Sequence, residues 1–200
     1  MKKVLKFPEL NAKVIIKTDD SPSNPRKEFD NLGVMVCFHN RYDLGDKHKY
    51  STNDFNGWDE LKVAIANREN AAVILPLYLY DHSGITMNTK GFSCRWDSGQ
   101  VGFIYMTKET AIENWGKKNL TLKIQEKALA CLEAEVKEYN QYLTGEIYGF
   151  KVKTLDTKEE KDSCWGFYGD TFDNGVFDYL DIEGLTFERY QEVFHNASWV

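Results

Sequence analysis

Most of the side chains that could do chemistry crowd into one short stretch. Cys37 and His39 are separated by one residue, so on a strand both point to the same face. Arg41, Asp43, Asp46 and His48 then follow within nine residues of His39. Imidazole and carboxylate suit a divalent ion, so His39, Asp43, Asp46 and His48 are a candidate metal set. The plainer alternative is a strand-end histidine beside a solvated loop, since the spacing matches no ligand signature with a mechanism behind it. Cys94 is a second candidate, as a thiol nucleophile. It needs a base, which His39 or His82 would supply if folding brings one beside it. Asp97 lies just beyond, and Asp81-His82 would make a carboxylate-histidine pair if the two side chains turned toward each other. Gly91-Phe-Ser-Cys-Arg-Trp96 fits no cysteine-protease or amidase elbow, however, and Ser98-Gly99 lacks a G-x-S-x-G setting. No cofactor is expected apart from that divalent ion. A small metal- or thiol-dependent enzyme built on Cys37, His39, Asp43, His48 and Cys94 is therefore one function class, and the balance leans away from it.

The other class is a binding protein, and the aromatic residues carry it. Twelve Phe, 11 Tyr and five Trp make 14% of the chain, so rings must fill much of the core or of a binding surface. Ser163-Cys-Trp-Gly-Phe-Tyr-Gly169 alternates glycine with rings. Such a strand offers an aromatic face to a base or a peptide, or else lays its rings over glycines of neighbouring strands such as Gly102 and Gly149. Asp170 to Asp181 has the look of a calcium loop but fails its register, because the second acid comes three residues after the first. Aromatic anchors with a charged rim build many interfaces, so Phe172, Asp173, Phe177, Asp178, Tyr179 and Asp181 form a candidate partner-binding surface. A simple solvated acidic face is the competing reading.

Charge is uneven. Residues 1–100 carry 14 Lys/Arg against 13 Asp/Glu, and residues 101–200 carry 11 against 18. Between Asp162 and Glu192, eight acids face only Arg189. That half should repel a phosphate backbone, which argues against nucleic acid there and leaves a protein as the expected partner. Arg41, Lys47, His48 and Lys49 form a small basic island, a third and weaker reading toward nucleic acid. Cys37, Cys94, Cys131 and Cys164 lie far apart with no CxxC pair, so reduced thiols are expected. No window approaches the roughly 18 apolar residues of a membrane span, and mean hydropathy is −0.53. The opening MKKVLKF imitates a signal-peptide n-region, but PELNAK stands where the apolar region would be. The expectation is a cytoplasmic protein with no membrane contact.

These residues need a scaffold. Lys13–Lys17 reads as a short strand, residues 19–26 as a polar turn region, Gly33–His39 as a buried strand and Asn40–Gly57 as a long polar loop. Trp58–Asn67 reads as a helix capped by Asn56, and Ala71–Tyr80 as a central strand in which Pro76 implies an edge or a bulge. Gln100–Met106 should be a buried strand, followed by a short helix from Thr107 to near Gly116. Thr121 caps the longest helix, with an apolar stripe of Leu122, Leu129, Leu132, Val136, Tyr139 and Leu143 and Gly145 as its stop. A hairpin follows across the charged loop 156–162, and 186–195 makes a last helix. This order argues one α+β domain over residues 1–200: a mostly antiparallel or mixed sheet on one long helix and two or three shorter ones. Residues 162–200 form its acidic, aromatic-rich end.

Three segments carry a resemblance: Asp30-Asn-Leu-Gly-Val-Met-Val-Cys-Phe-His-Asn-Arg-Tyr-Asp-Leu-Gly-Asp46, Trp96-Asp-Ser-Gly-Gln-Val-Gly-Phe-Ile-Tyr105 and Asp162-Ser-Cys-Trp-Gly-Phe-Tyr-Gly169. In that order they resemble a family of uncharacterised proteins associated with bacteriophages, plasmids and other mobile elements. The resemblance covers about residues 28–170, leaves the last 30 residues outside it, and brings no activity to transfer. It implies a setting: a phage or mobile-element accessory protein in a bacterial host cell, binding a host protein to inhibit or modulate it, for instance as an anti-restriction or anti-CRISPR factor.

Overall fold

Period-two alternation and helical stripes divide the chain into eight strands and five helices. The computed structural model describes residues 1–200. In order they are β1 (Lys2–Phe7), β2 (Ala12–Thr18), α1 (Pro25–Glu28), β3 (Val34–Cys37), α2 (Trp58–Arg68), β4 (Ala71–Asp81), β5 (Ile85–Asn88), β6 (Ser98–Thr107), α3 (Lys108–Asn114), α4 (Leu122–Thr144), β7 (Ile147–Thr154), β8 (Glu160–Tyr168) and α5 (Phe187–Asn196). The fold is α+β, with two antiparallel sheets. The elements cluster into two compact units, Met1–Ser23 with Gly145–Val200, and Asn24–Thr144.

In the first unit the sheet order is β1-β2-β7-β8. Alternation sends Leu5, Phe7, Val14, Ile16, Phe150 and Val152 to one side, all buried. Tyr190 and Phe194 of α5 close that side, with Val176 from the 3-10 turn Val176–Tyr179. Each such side chain contributes roughly 1.5–3 kcal/mol relative to exposure. Thr186 caps α5 by accepting the Arg189 N–H at 3.3 Å. The opposite side of the sheet carries lysines.

In the second unit the order is β3-β6-β4-β5. Met35, Leu77, Leu79, Met87, Ile104 and Met106 pack on one side against Ile124, Ala128, Leu132, Val136 and Tyr139 of α4. Val36, Phe103 and Tyr105 pack on the other against Leu61 and Ile65 of α2. The stripe of α4 thus differs from the expected one at its start. Leu122 is 78% exposed and Leu129 39%, because Ala128 and Ile124 take the facing positions one and two helical turns before Leu132.

Of two further local expectations, the cap of α2 is corrected and the edge or bulge at Pro76 holds. Asn56 does not cap α2; Gly57 holds that position, and Asn56 donates its N–H to Glu60 at 2.7 Å. Pro76 sits in a strand that is internal only in part. β5 pairs with Tyr78–Asp81 alone, so beside Pro76 the flank opposite β6 needs no donor, and the register slips immediately after it between Leu77 and Tyr78. No helix is long and apolar enough to cross a membrane.

Candidate functional site

β3 stops at Cys37 and the chain turns back at once. His39 fixes that turn: its Nδ1 accepts the backbone N–H groups of Arg41 at 3.2 Å and Tyr42 at 3.3 Å. With Nδ1 an acceptor, the imidazole proton sits on Nε2. Nε2 faces Asp81 Oδ2 at 4.0 Å, and the Tyr42 ring stacks on the imidazole with centroids 4.9 Å apart. Asp81 ends β4 and gathers the turn onto the sheet, accepting from the Tyr42 hydroxyl at 3.3 Å and from the Arg41 guanidinium.

The rest of the loop is anchored from beneath. Arg26, on α1, is buried and donates through Nε to Asp46 at 3.0 Å, through Nη1 to Glu135 of α4 at 2.8 Å and to Asn31 at 2.9 Å, and through Nη2 to the Gly33 carbonyl at 2.7 Å. Asp46 accepts the Met35 N–H at 2.8 Å, and Glu135 accepts those of Leu32 and Gly33 at 2.9 and 3.0 Å. Every arm of this buried network has a partner, which is the condition under which buried charge specifies a structure.

Facing His39 and Asp81 is the turn that leads into β6. The Asp97 carbonyl accepts the Asp81 N–H at 2.8 Å. Its carboxylate stands 3.4 Å from His82 Nδ1 and accepts the Cys94 thiol at 3.6 Å, and the Ser98 hydroxyl donates to the Cys94 carbonyl. Between these residues Trp96 is 96% exposed. His39, Arg41, Asp81, Trp96, Asp97 and Ser98 line an open cleft of about 390 Å³.

The polar groups of this cleft are engaged with one another. His39 has its acceptor nitrogen filled and its N–H turned to Asp81. Asp81 is occupied by a guanidinium and a phenol. Asp97 lies between Cys94 and His82, so the thiol faces a carboxylate instead of an imidazole, unlike the order of a thiol–imidazole–carboxylate relay. What remains unengaged is the Trp96 indole.

The sequence-predicted residues are placed as follows. The candidate metal set lines one open pocket with Cys37, but each member is engaged separately: Asp46 is held by Arg26, Asp43 reaches Lys27 at 3.2 Å from a largely exposed position, His48 Nε2 bonds the Cys37 carbonyl at 2.9 Å, and His39 faces Asp81. No three His, Cys, Asp or Glu side chains stand close enough to hold an ion. Cys37 is buried, and burial, with Asp46 nearby, pushes its thiol up to about 12, which keeps it protonated and unreactive. Cys94 meets Asp97, which in turn faces His82, while His39 pairs with Asp81. Asp81 and His82 do not pair with each other; each has its own partner. In the basic island, Arg41 is taken by Asp81 and Lys49 stands 3.3 Å from Glu69.

In the first unit the proposed anchors Phe172 and Phe177 are turned inward. Phe172 lies 5.2 Å from Phe194 and Phe177 5.3 Å from Tyr190, centroid to centroid, so both rings pack the core under α5. Tyr179, Asp173, Asp178 and Asp181 stay exposed, leaving an acidic rim with a single exposed ring. Sequence reasoning missed the role of Asp81 as the partner of His39, and missed the exposure of Trp96. A readable signal for Trp96 was its setting, a large ring followed by the turn formers Asp97-Ser-Gly99 and outside any periodic run.

No family model matches the chain, and no curated protein and no solved structure matches it either.

Proposed function

We propose that the chain is a recognition protein, a mobile-element accessory factor that binds a host protein and blocks or modulates it, with Trp96 as its anchor. The observation that carries this reading is the 96% exposure of Trp96 at the mouth of a cleft whose titratable groups are already partnered. An indole inserted into a partner pocket contributes on the order of 2 kcal/mol or more when it is a hot spot. Asp97 and the electron-rich indole face together favour a partner whose pocket carries Lys or Arg. An anti-defence role is the form of this activity that the mobile-element resemblance implies.

Affinity capture from host lysate tests it, with wild type beside Trp96→Ala and a triple charge reversal of Asp173, Asp178 and Asp181. A stoichiometric protein retained by wild type and by the triple variant, but lost with Trp96→Ala, supports the reading. Retention of the same protein by Trp96→Ala defeats it, and loss only with the triple variant moves the interface to the acidic rim.

A further inference from the structure

The open side of the β1-β2-β7-β8 sheet is ordered into three cross-strand rows. Lys6, Lys13, Lys153 and Glu160 stand opposite one another in the first. Val4, Ile15, Lys151 and Ser163 form the second, and Lys2, Lys17, Gly149 and Trp165 the third. Two lysines from each of β1, β2 and β7 thus share one face, with neighbouring strands roughly 4.8 Å apart.

Like charges directly opposite destabilise a sheet, yet Lys2–Lys17, Lys6–Lys13 and Lys13–Lys153 are all direct pairs. The carboxylates that answer them are few. Glu160 serves Lys151 at 3.0 Å and Lys153 at 3.4 Å, and Asp20 serves Lys17 at 3.2 Å. Lys2, Lys6 and Lys13 have no ion-pair partner. At the end of the third row Trp165 lies against Gly149, where a Cβ would fall inside the indole. It remains 37% exposed, with Lys17 Nζ 4.9 Å from its ring centroid.

We propose that this face binds single-stranded nucleic acid, a base stacking on Trp165 and the phosphates running across the lysine rows. Charge complementarity selects a polyanion. The indole, seated over a glycine, selects one with unpaired ring faces, which a duplex hides and an acidic peptide lacks. Charge counted along the chain pointed the other way, because it pooled residues that the sheet separates. The acid-rich half supplies Lys151, Lys153 and Trp165 to this face, while the acids from Asp170 to Glu192 lie in the segment that closes the opposite side.

The test is fluorescence anisotropy with labelled short oligothymidylate and oligouridylate, Trp emission followed in parallel. Expected is binding that quenches emission and weakens roughly tenfold or more between about 50 and about 200 mM salt. Trp165→Ala should weaken it about fivefold or more, whereas Trp165→Phe, which keeps a ring over Gly149, should retain most of it. Lys6→Gln with Lys13→Gln should lower affinity and flatten the salt dependence. Glu160→Gln should raise affinity by releasing Lys151 and Lys153. Each variant's fold is checked by its circular dichroism and melting midpoint. Absence of oligonucleotide binding at the lower salt overturns the proposal. So does equal binding by a duplex, by heparin or by phosphatidylserine vesicles that Trp165→Ala leaves unchanged, which would mark a general anionic-surface contact.

Discussion

Arg26 and Glu135 are 109 residues apart in sequence, and their side chains meet at 2.8 Å in the interior of the Asn24–Thr144 unit. That pair, extended through Asp46, ties α1, the loop after β3 and α4 together. Arg26→Met removes the only cation and leaves two carboxylates with unmatched charge. Loss of one member of a buried pair costs about 3–5 kcal/mol. Urea denaturation should show a lowered midpoint of that size, and a smaller loss for Asp46→Asn, which keeps a carbonyl acceptor for Met35.

Gly149→Ala should destabilise the first unit by about 1–3 kcal/mol through overpacking, since the added methyl must displace the Trp165 ring. Thermal melts followed by Trp fluorescence would show it, with the emission of Trp165 shifted toward that of a solvated indole. An unchanged melt would mean that the ring does not lie where it is described.

Tyr50 donates to Glu69 at 2.6 Å, and Lys49 adds its charge, so the Glu69 carboxyl is held below its ordinary value of 4.5. A carboxyl depressed on folding contributes stability that is fully present above its unfolded value and is lost as pH falls through the folded one. The stability difference between wild type and Glu69→Gln should therefore be constant above about pH 5. It should shrink as pH drops below 4.5. Denaturation midpoints across that window check the sign.

His39→Ala removes the acceptor for two backbone N–H groups and the ring on which Tyr42 stacks. Amide exchange at Arg41 and Tyr42 should accelerate, with a loss of global stability near 1 kcal/mol. Exchange as slow as wild type would show that Asp81 alone holds the turn.

Alkylation under native conditions near pH 8 should label Cys94 and Cys164 and spare Cys37, whose thiol is buried and raised to about 12. Adding denaturant should expose Cys37 to the reagent. Peptide mass mapping before and after unfolding gives the comparison.

Local pattern carried most of the secondary structure. Short apolar runs marked β2, β3 and β6, the hairpin marked β7 and β8, the cap and stripe marked α4, and Pro76 announced the partial edge and the register slip in β4. β1 went unread because Lys2, Lys3 and Lys6 disguise its alternation; Lys3 is buried beneath the Phe194 and Trp199 rings, which no charge pattern suggests. The candidate site was legible only as a set of residue types. His39, Asp81, Cys94, Trp96 and Asp97 are all polar or turn-region residues, but their pairing depends on which strand ends lie side by side.

What the sequence determined by itself was the α+β class, the long helix and the wealth of rings, because these follow from short-range periodicity and composition. Tertiary structure decided the chemistry. Tertiary contacts gave the metal candidates four different partners, turned Phe172 and Phe177 into core, left Trp96 in solvent, and set most lysines of the first unit on the side of its sheet opposite the segment that carries the acids from Asp170 to Glu192. Each outcome depends on contacts between residues far apart in the chain, and a period of two or 3.6 says which side a residue faces without saying what it meets there.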